Sequence, residues 1–416
     1  MELENHVDRP HPAVTAARSL EGLIVEVGRD LASAFNGVLN AIPGGPHRPQ
    51  LLARTLGVNT VVTSRILKAA RQRDPMAVAH MIPGPEPLRR LLRSAERKNV
   101  DAALIREARA AVDRFEQLIA EEAGDRSSLD AIISGWLPDA RQKVELLAKQ
   151  AVFRGVSQLL GATCDAQHFT TVLYPSREQA GRADQLWMLA TRGLRRVRPG
   201  LVFNYDTVHA PGRKLTVTGQ PIEGLQGLML EPFCSKPLPQ LEVTPFLDRA
   251  QYTLLGHNVG VRSAVDLVHA TLLPGKKELF GPAGATATRK TMMAAGIATP
   301  SKSVIFDTLL HEDVYPGQQP GLYVYRSVPG AVIDPNDPSR DVDRFDVIES
   351  ILPLGQGIAK FRAADSPAYL DMLNYVCAQR RWDGQTLRGY RCRIEFPIYS
   401  SEVVMTFDLP PGAERG

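Results

Sequence analysis

The chain is poor in the features that usually announce an activity. It has four cysteines, Cys164, Cys234, Cys377 and Cys392, in 416 residues. None forms a CxxC pair or stands at a Cys/His ligand spacing, so the sequence predicts reduced thiols, no structural zinc and no metal site. Cys377 and Cys392 flank RRWDGQTLRGY, but a bridge between them would need an oxidising compartment. No apolar run approaches the roughly 18 residues that span a bilayer. The first residues, MELENHVDRPHP, are polar and lack the apolar core of a secretory signal. A cytoplasmic protein with no membrane association is expected. Catalytic signatures are equally scarce. There is no HExxH, and no GxSxG or GxGxxG in a usable context; GPAGATATRKT lacks the lysine spacing of a phosphate-binding loop. No catalytic residue and no cofactor is assigned.

What is present is an ordinary soluble composition, 44% hydrophobic and 23% charged, in a chain long enough for two or three domains. The net charge of +4 is unevenly spread. Residues 43 to 100 hold eleven Lys/Arg against three acids, a local excess of eight positive charges, so the remainder is net acidic. A localised basic face is the electrostatic footprint expected for a polyanion partner.

The texture predicts an α+β multidomain protein, with an all-α N-terminal region followed by a β-rich C-terminal domain. Residues 1 to 18 read as a loose arm. A helix capped by Ser19 follows, with Leu20, Leu23, Ile24, Val27, Leu31, Phe35, Val38 and Ile42 at helical spacing. Asp101 can cap another, whose Leu104, Ala108, Ala111, Phe115 and Leu118 form a short seam ended by Gly124. A helix from Ser127 to Trp136 and one over residues 139 to 160 complete the series, with Pro138 breaking the run. Beyond Gly161 the chain turns to short segments rich in β-branched and aromatic residues. These are HFTTVLY, LWMLATR, GLVFNYDTV, RKLTVTG, SKSVIFDTLL, GLYVYRS and RCRIEFPIYSSEVVMTFDL. Helical pieces are expected at DRAQYTLLGHN, ATRKTMMAAG and SPAYLDMLNYVCAQRR. The expected domains are 1–100, 101–160 as a helical connector suited to dimerisation, and 161–416 for sensing or assembly.

One stretch carries chemistry: LLARTLGVNTVVTSRILKAA, residues 51 to 70. Ala53 is small enough for a second helix to cross closely. Gly57 supplies a residue tolerant of positive φ. Val58 is placed to be buried, and Asn59 is a good N-cap. Thr63 and Ile66 would face inward against Leu52 and Leu56. Thr60, Val61, Ser64, Arg65 and Lys68 would face outward, with chemistry suited to a major groove. The segment resembles the helix-turn-helix of bacterial transcriptional regulators, whose common form is LA-x-x-LGV-S-x-x-TVSR-x-L. Here the string is LA-R-T-LGV-N-T-V-VTSR-I-L over about 20 residues. The family places its hydroxyl residue one position earlier than Thr63, and a bond from the Thr63 hydroxyl to the Asn59 carbonyl would accommodate the exchange.

The resemblance implies double-stranded DNA as partner, read by Asn59, Thr60, Val61, Ser64, Arg65, Lys68, Arg71 and Arg73. Arg48, Arg89, Arg90 and Arg93 would lie on phosphates. It also implies a homodimer or higher oligomer reading paired half-sites, with a small-molecule effector left open. Two other readings stand beside it. One is a homo-oligomeric assembly protein that binds nucleic acid without sequence preference. The other is an enzyme with its site in the C-terminal domain near His311 or Asp307. The His311-Glu312-Asp313 cluster and the basic run RGLRRVRPG, residues 192 to 200, are expected to be charged turns.

Overall fold

A computed structural model of the chain describes residues 19–43, 48–209, 229–246, 249–256, 258–282, 288–328 and 332–411. The expected arm at residues 1 to 18 and the expected strand RKLTVTG lie outside the described residues. The chain divides into two compact units, Met1–Glu145 and Leu146–Gly416, all-α and β-rich respectively.

In the first unit, α1 (Leu20–Ala41) begins where the Ser19 hydroxyl accepts from the Gly22 amide at 3.2 Å. It turns Ile24, Leu31, Phe35 and Val38 inward. The helices α2 (Pro49–Leu56), α3 (Thr60–Ala70), α4 (Pro75–Met81) and α5 (Pro85–Glu96) follow. Three of these four start with proline, which fits the first turn because its missing N–H would be unpaired there. Gly28 lets α4 press against α1, since a Cβ at that position would overlap the Pro75 carbonyl. Next, α6 (Ala102–Leu118) starts on the Asp101 cap, whose carboxylate accepts from the Ala103 amide at 2.7 Å. It runs into a π-helical turn, Ile119–Ala123, ended by Gly124 at φ 80°. After it comes α7 (Arg126–Ser134). One apolar core takes in Ile24, Leu52, Ile66, Val78, Leu92, Ala108, Phe115 and Ile133. Residues 101 to 133 therefore share a core with the basic segment instead of forming a layer of their own. Pro138 opens α8 (Pro138–Leu160), inside which the division between the units falls.

The second unit is built on a six-stranded sheet in the order β10-β11-β8-β1-β2-β6. Its strands are β1 (Ala162–Pro175), β2 (Arg182–Arg196), β6 (Val265–Glu278), β8 (Ser301–His311), β10 (Ile351–Gln356) and β11 (Leu387–Glu395). β1 and β8 are parallel and the other neighbours antiparallel. A three-stranded sheet combines β7 (Lys290–Gly296), β12 (Ser401–Asp408) and β9 (Gly321–Arg326). Another combines β3 (Phe203–His209), β5 (Arg249–Leu254) and β4 (Leu241–Phe246). The Phe407 ring of β12 lies 5.7 Å from Tyr390 of β11, so the second sheet covers one face of the first. The helix α9 (Tyr369–Arg380) covers the other, where its Tyr369 ring sits 3.9 Å from His168 of β1.

Three sequence expectations fail here, the third in part. Within DRAQYTLLGHN, Arg249–Leu254 is β5, the central strand of its sheet, and not a helix. ATRKTMMAAG supplies β7, whose Met293 and Ala295 are buried two residues apart, the period of a strand. Alanine and methionine favour helices, but pairing with β12 overrides that preference. RGLRRVRPG is a turn only in its second half: Arg192 to Arg196 belong to β2, bulged where Gly193 adopts φ 64°, and the exposed bend and turn occupy residues 197 to 200. No helix among the described residues is long and apolar enough to cross a membrane.

Candidate nucleic-acid interface

The corner between α2 and α3 has the expected geometry. Gly57 is left-handed at φ 64°, and its amide and that of Val58 both return to the Ala53 carbonyl, closing the end of α2. The Asn59 side chain accepts from the Val61 amide at 2.7 Å, satisfying one of the unpaired donors at the start of α3. Leu52, Leu56, Thr63 and Ile66 are buried between the two helices, and Val58 is partly buried. The Thr63 hydroxyl does not bond the Asn59 carbonyl. It donates to Thr60 O at 3.0 Å and Pro49 O at 2.9 Å. Through Pro49 O, the first residue of α2, the hydroxyl ties the two helices together.

The opposite face of α3 is open. Asn59, Thr60, Val61, Arg65 and Lys68 are exposed and Ser64 is half-buried. Val61, Ser64, Lys68 and Arg71 step by three, four and three residues and so form one ridge. Val61 is 67% exposed. Arg71 caps the end of α3 and Arg73 follows it, both exposed.

The surrounding cations fall into two groups. Arg48, Arg54 and Arg90 are exposed, like Lys68, Arg71 and Arg73. Arg89 is instead clamped by Glu116 and Asp113, both at 2.6 Å, and these carboxylates raise its pKa further above the ordinary value. Arg93 pairs with Glu86 at 2.9 Å. Arg65 is held against the end of α4, donating to Met81 O at 3.2 Å and Ile82 O at 3.3 Å. The basic excess read from the sequence is thus partly neutralised by acids of α6, a pairing that no local pattern discloses.

The second unit holds a buried polar cluster that the sequence reading did not assemble. The register of the central strands places Thr170 and Arg391 directly opposite Asp307 on either side. Arg391 grips the carboxylate with Nε at 2.8 Å and Nη2 at 2.7 Å, and donates onward to the carbonyls of Phe361 and Arg362. His168 Nε2 lies 3.2 Å from the same carboxylate. Asp307 is fully buried. Burial alone would favour its neutral form, but His168 and Arg391 outweigh that and hold its pKa below the ordinary value. Tyr369, whose hydroxyl accepts from Thr170 at 3.0 Å, is pushed well above the ordinary phenol value by burial and then by Asp307. His168, Thr170, Asp307 and Tyr369 are buried and Arg391 is partly exposed.

Toward one end of the same sheet, Asp165, Arg192, Gly193, Asp266, Ser303 and Asp365 line a shallow cleft of about 350 Å³. Its carboxylates are largely neutralised: Lys302 and Arg195 pair with Asp165, and Arg393 with Asp365. The imidazole of His311 accepts from the Asp313 amide at 3.2 Å and closes the turn after β8. No group of side chains suited to hold a metal ion occurs among the described residues. The four cysteines are buried and free.

No protein-family model and no curated protein matches the chain. Among solved structures, a candidate protease from Parabacteroides distasonis ATCC 8503 is similar over 59% of this chain, with 8% identity and a TM-score of 0.29. The match spans 40% of that structure's length.

Proposed function

We propose that the first unit binds double-stranded DNA with α3 in the major groove, and that the protein is a cytoplasmic transcriptional regulator. The observation that carries this reading is the two-sidedness of α3. One face is keyed to α2 by the Thr63 hydroxyl and buried with Ile66, while the other presents Val61, Ser64 and Lys68 to solvent. Val61 offers apolar contact for a thymine methyl, Ser64 a hydroxyl for a base edge or phosphate, and Lys68 a cation for guanine or phosphate. The N-terminus of α3, at Thr60 and Val61, favours a phosphate. Arg48, Arg54, Arg71, Arg73 and Arg90 remain for the DNA backbone, whereas Arg89 and Arg93 are committed to acids. A dimer or higher oligomer would read two half-sites about one helical turn apart. The second unit would supply assembly or respond to a small-molecule effector.

The test is selection from a randomised duplex pool by the full chain at two salt concentrations. Enrichment of a defined site, twofold symmetric for a dimer, is the expected result. Binding without enrichment, lost steeply with salt, would replace the regulator with a sequence-indifferent assembly protein. Absence of binding at low salt would end the DNA reading.

A further inference from the structure

The short helix α4 ends in three carbonyls that receive two guanidinium groups from different parts of the chain. Arg65, on the recognition-type helix α3, donates to Met81 O and Ile82 O at 3.2 and 3.3 Å. Arg126, the first residue of α7, donates to His80 O at 2.7 Å and also to Ile82 O at 3.3 Å. The Ile82 carbonyl is therefore shared by both cations. The negative end of a helix favours positive charge, but two guanidiniums on one oxygen repel each other. Asp130, one turn along α7, compensates. It lies 3.0 Å from Arg126 and 3.2 Å from His80 Nδ1 of α4. The Arg126 guanidinium also rests 5.0 Å from the centre of the Phe115 ring of α6. An exposed arginine on α3 is thereby linked to α4, α6 and α7 through a single carbonyl.

We propose that Asp130 is a positioning residue for α3: by offsetting the Arg126 charge beside the shared carbonyl it lets Arg65 stay on the end of α4, and so fixes the angle at which Val61, Ser64 and Lys68 are presented. Arg65 then acts as the pin of this latch and not as a base reader. Loss of the Asp130 charge would leave Arg126 unbalanced against Arg65 at the shared carbonyl and loosen α3, giving α7 control over the DNA-facing surface. The functional half of this inference rests on the DNA-binding reading; the mechanical half does not.

The test is Asp130→Asn in the full chain, with two readouts. The first is amide hydrogen exchange of α3, which needs no DNA. The second is affinity for a site selected by the parent protein, compared with affinity for random duplex. Faster exchange confined to α3, with site affinity falling about five- to tenfold while random-duplex affinity holds, is the expected pattern. Unchanged exchange across α3 would overturn the latch whatever the DNA result. Equal loss on both duplexes would reduce the ring to general stability. Arg65→Lys, which keeps the charge but cannot span two carbonyls, should reproduce the exchange pattern if Asp130→Asn folds poorly. When both variants fold, the double variant should exchange little faster than either single one, and fully additive effects would overturn the coupling. A parent protein that selects no site would sink the DNA reading and leave the latch to be judged on exchange alone.

Discussion

Arg65 of the first unit and Arg391 of the second are held in opposite ways, and the difference separates a contact that can be released cheaply from one that cannot. In the first unit the exposed Arg65 sits on backbone carbonyls at a helix end, within reach of water. In the second, Arg391 grips a carboxylate that has no exposure at all. A guanidinium on a helix terminus costs little when it is released, because water can replace the protein acceptor. A buried pair is different: each charge was taken out of water on the condition that the other is present. The first arrangement suits a part that moves, and the second suits a part that must not.

The sharpest way to break this comparison is Asp307→Ala. It strands the Arg391 charge in the core and should cost about 3–5 kcal/mol in urea unfolding. Asp307→Leu combined with Arg391→Met should recover much of that loss, since an apolar pair of similar volume is often tolerated where a lone charge is not. The pH dependence has a definite sign. Asp307 is held below its ordinary pKa, so its contribution is complete above the ordinary carboxylate value of about 4 and fades as pH falls through it toward the folded value. Asp307→Asn should flatten stability against pH in that acid window. A variant with parental acid sensitivity would show that Asp307 is not the group that matters.

Legibility followed the same division. The corner from Ala53 to Ile66 was readable because its constraints lie within about 15 residues: a left-handed glycine, a cap two positions later and inward residues at helical spacing. The Asp307 cluster was not. His168, Asp307, Tyr369 and Arg391 meet through a parallel strand pair and a returning helix, and no spacing along the chain encodes that register. β5 and β7 were misread for the same reason, since their partners lie far away in sequence or carry no turn signal. The neutralisation of Arg89 by Asp113 and Glu116 leaves no local signal because the acids belong to another helix.

Two glycines grade the first unit. Gly28→Ala places a Cβ onto the Pro75 carbonyl, a rigid backbone atom, where α1 and α4 touch. The helices must separate, and a loss of about 1–3 kcal/mol is expected in thermal unfolding. Gly57→Val is milder sterically, since no atom lies within 4 Å of the added Cβ, but φ of 64° opposes a β-branched residue. Its cost should be about 1–2 kcal/mol, and Gly57→Asn should cost less because asparagine tolerates this conformation. If valine and asparagine are equally tolerated, the turn is not the tight one seen here.

Lys68→Ala has the smallest expected effect on the fold and the most specific effect on the proposed function. Lys68 is exposed on the α3 ridge, and its loss should change unfolding stability by no more than about 0.5 kcal/mol. If the side chain lies on a phosphate, affinity should fall by a similar factor on every duplex, and the slope of log affinity against log salt should shrink by about one. If it reads guanine, the slope changes less and the preference at one base pair relaxes. Arg93→Ala provides the contrast on the same unit. Its guanidinium already faces Glu86, so its removal should leave the salt slope nearly unchanged. Equal slopes lost at both positions would mean that the Glu86 pair opens on binding, and the division between free and committed cations would have to be redrawn.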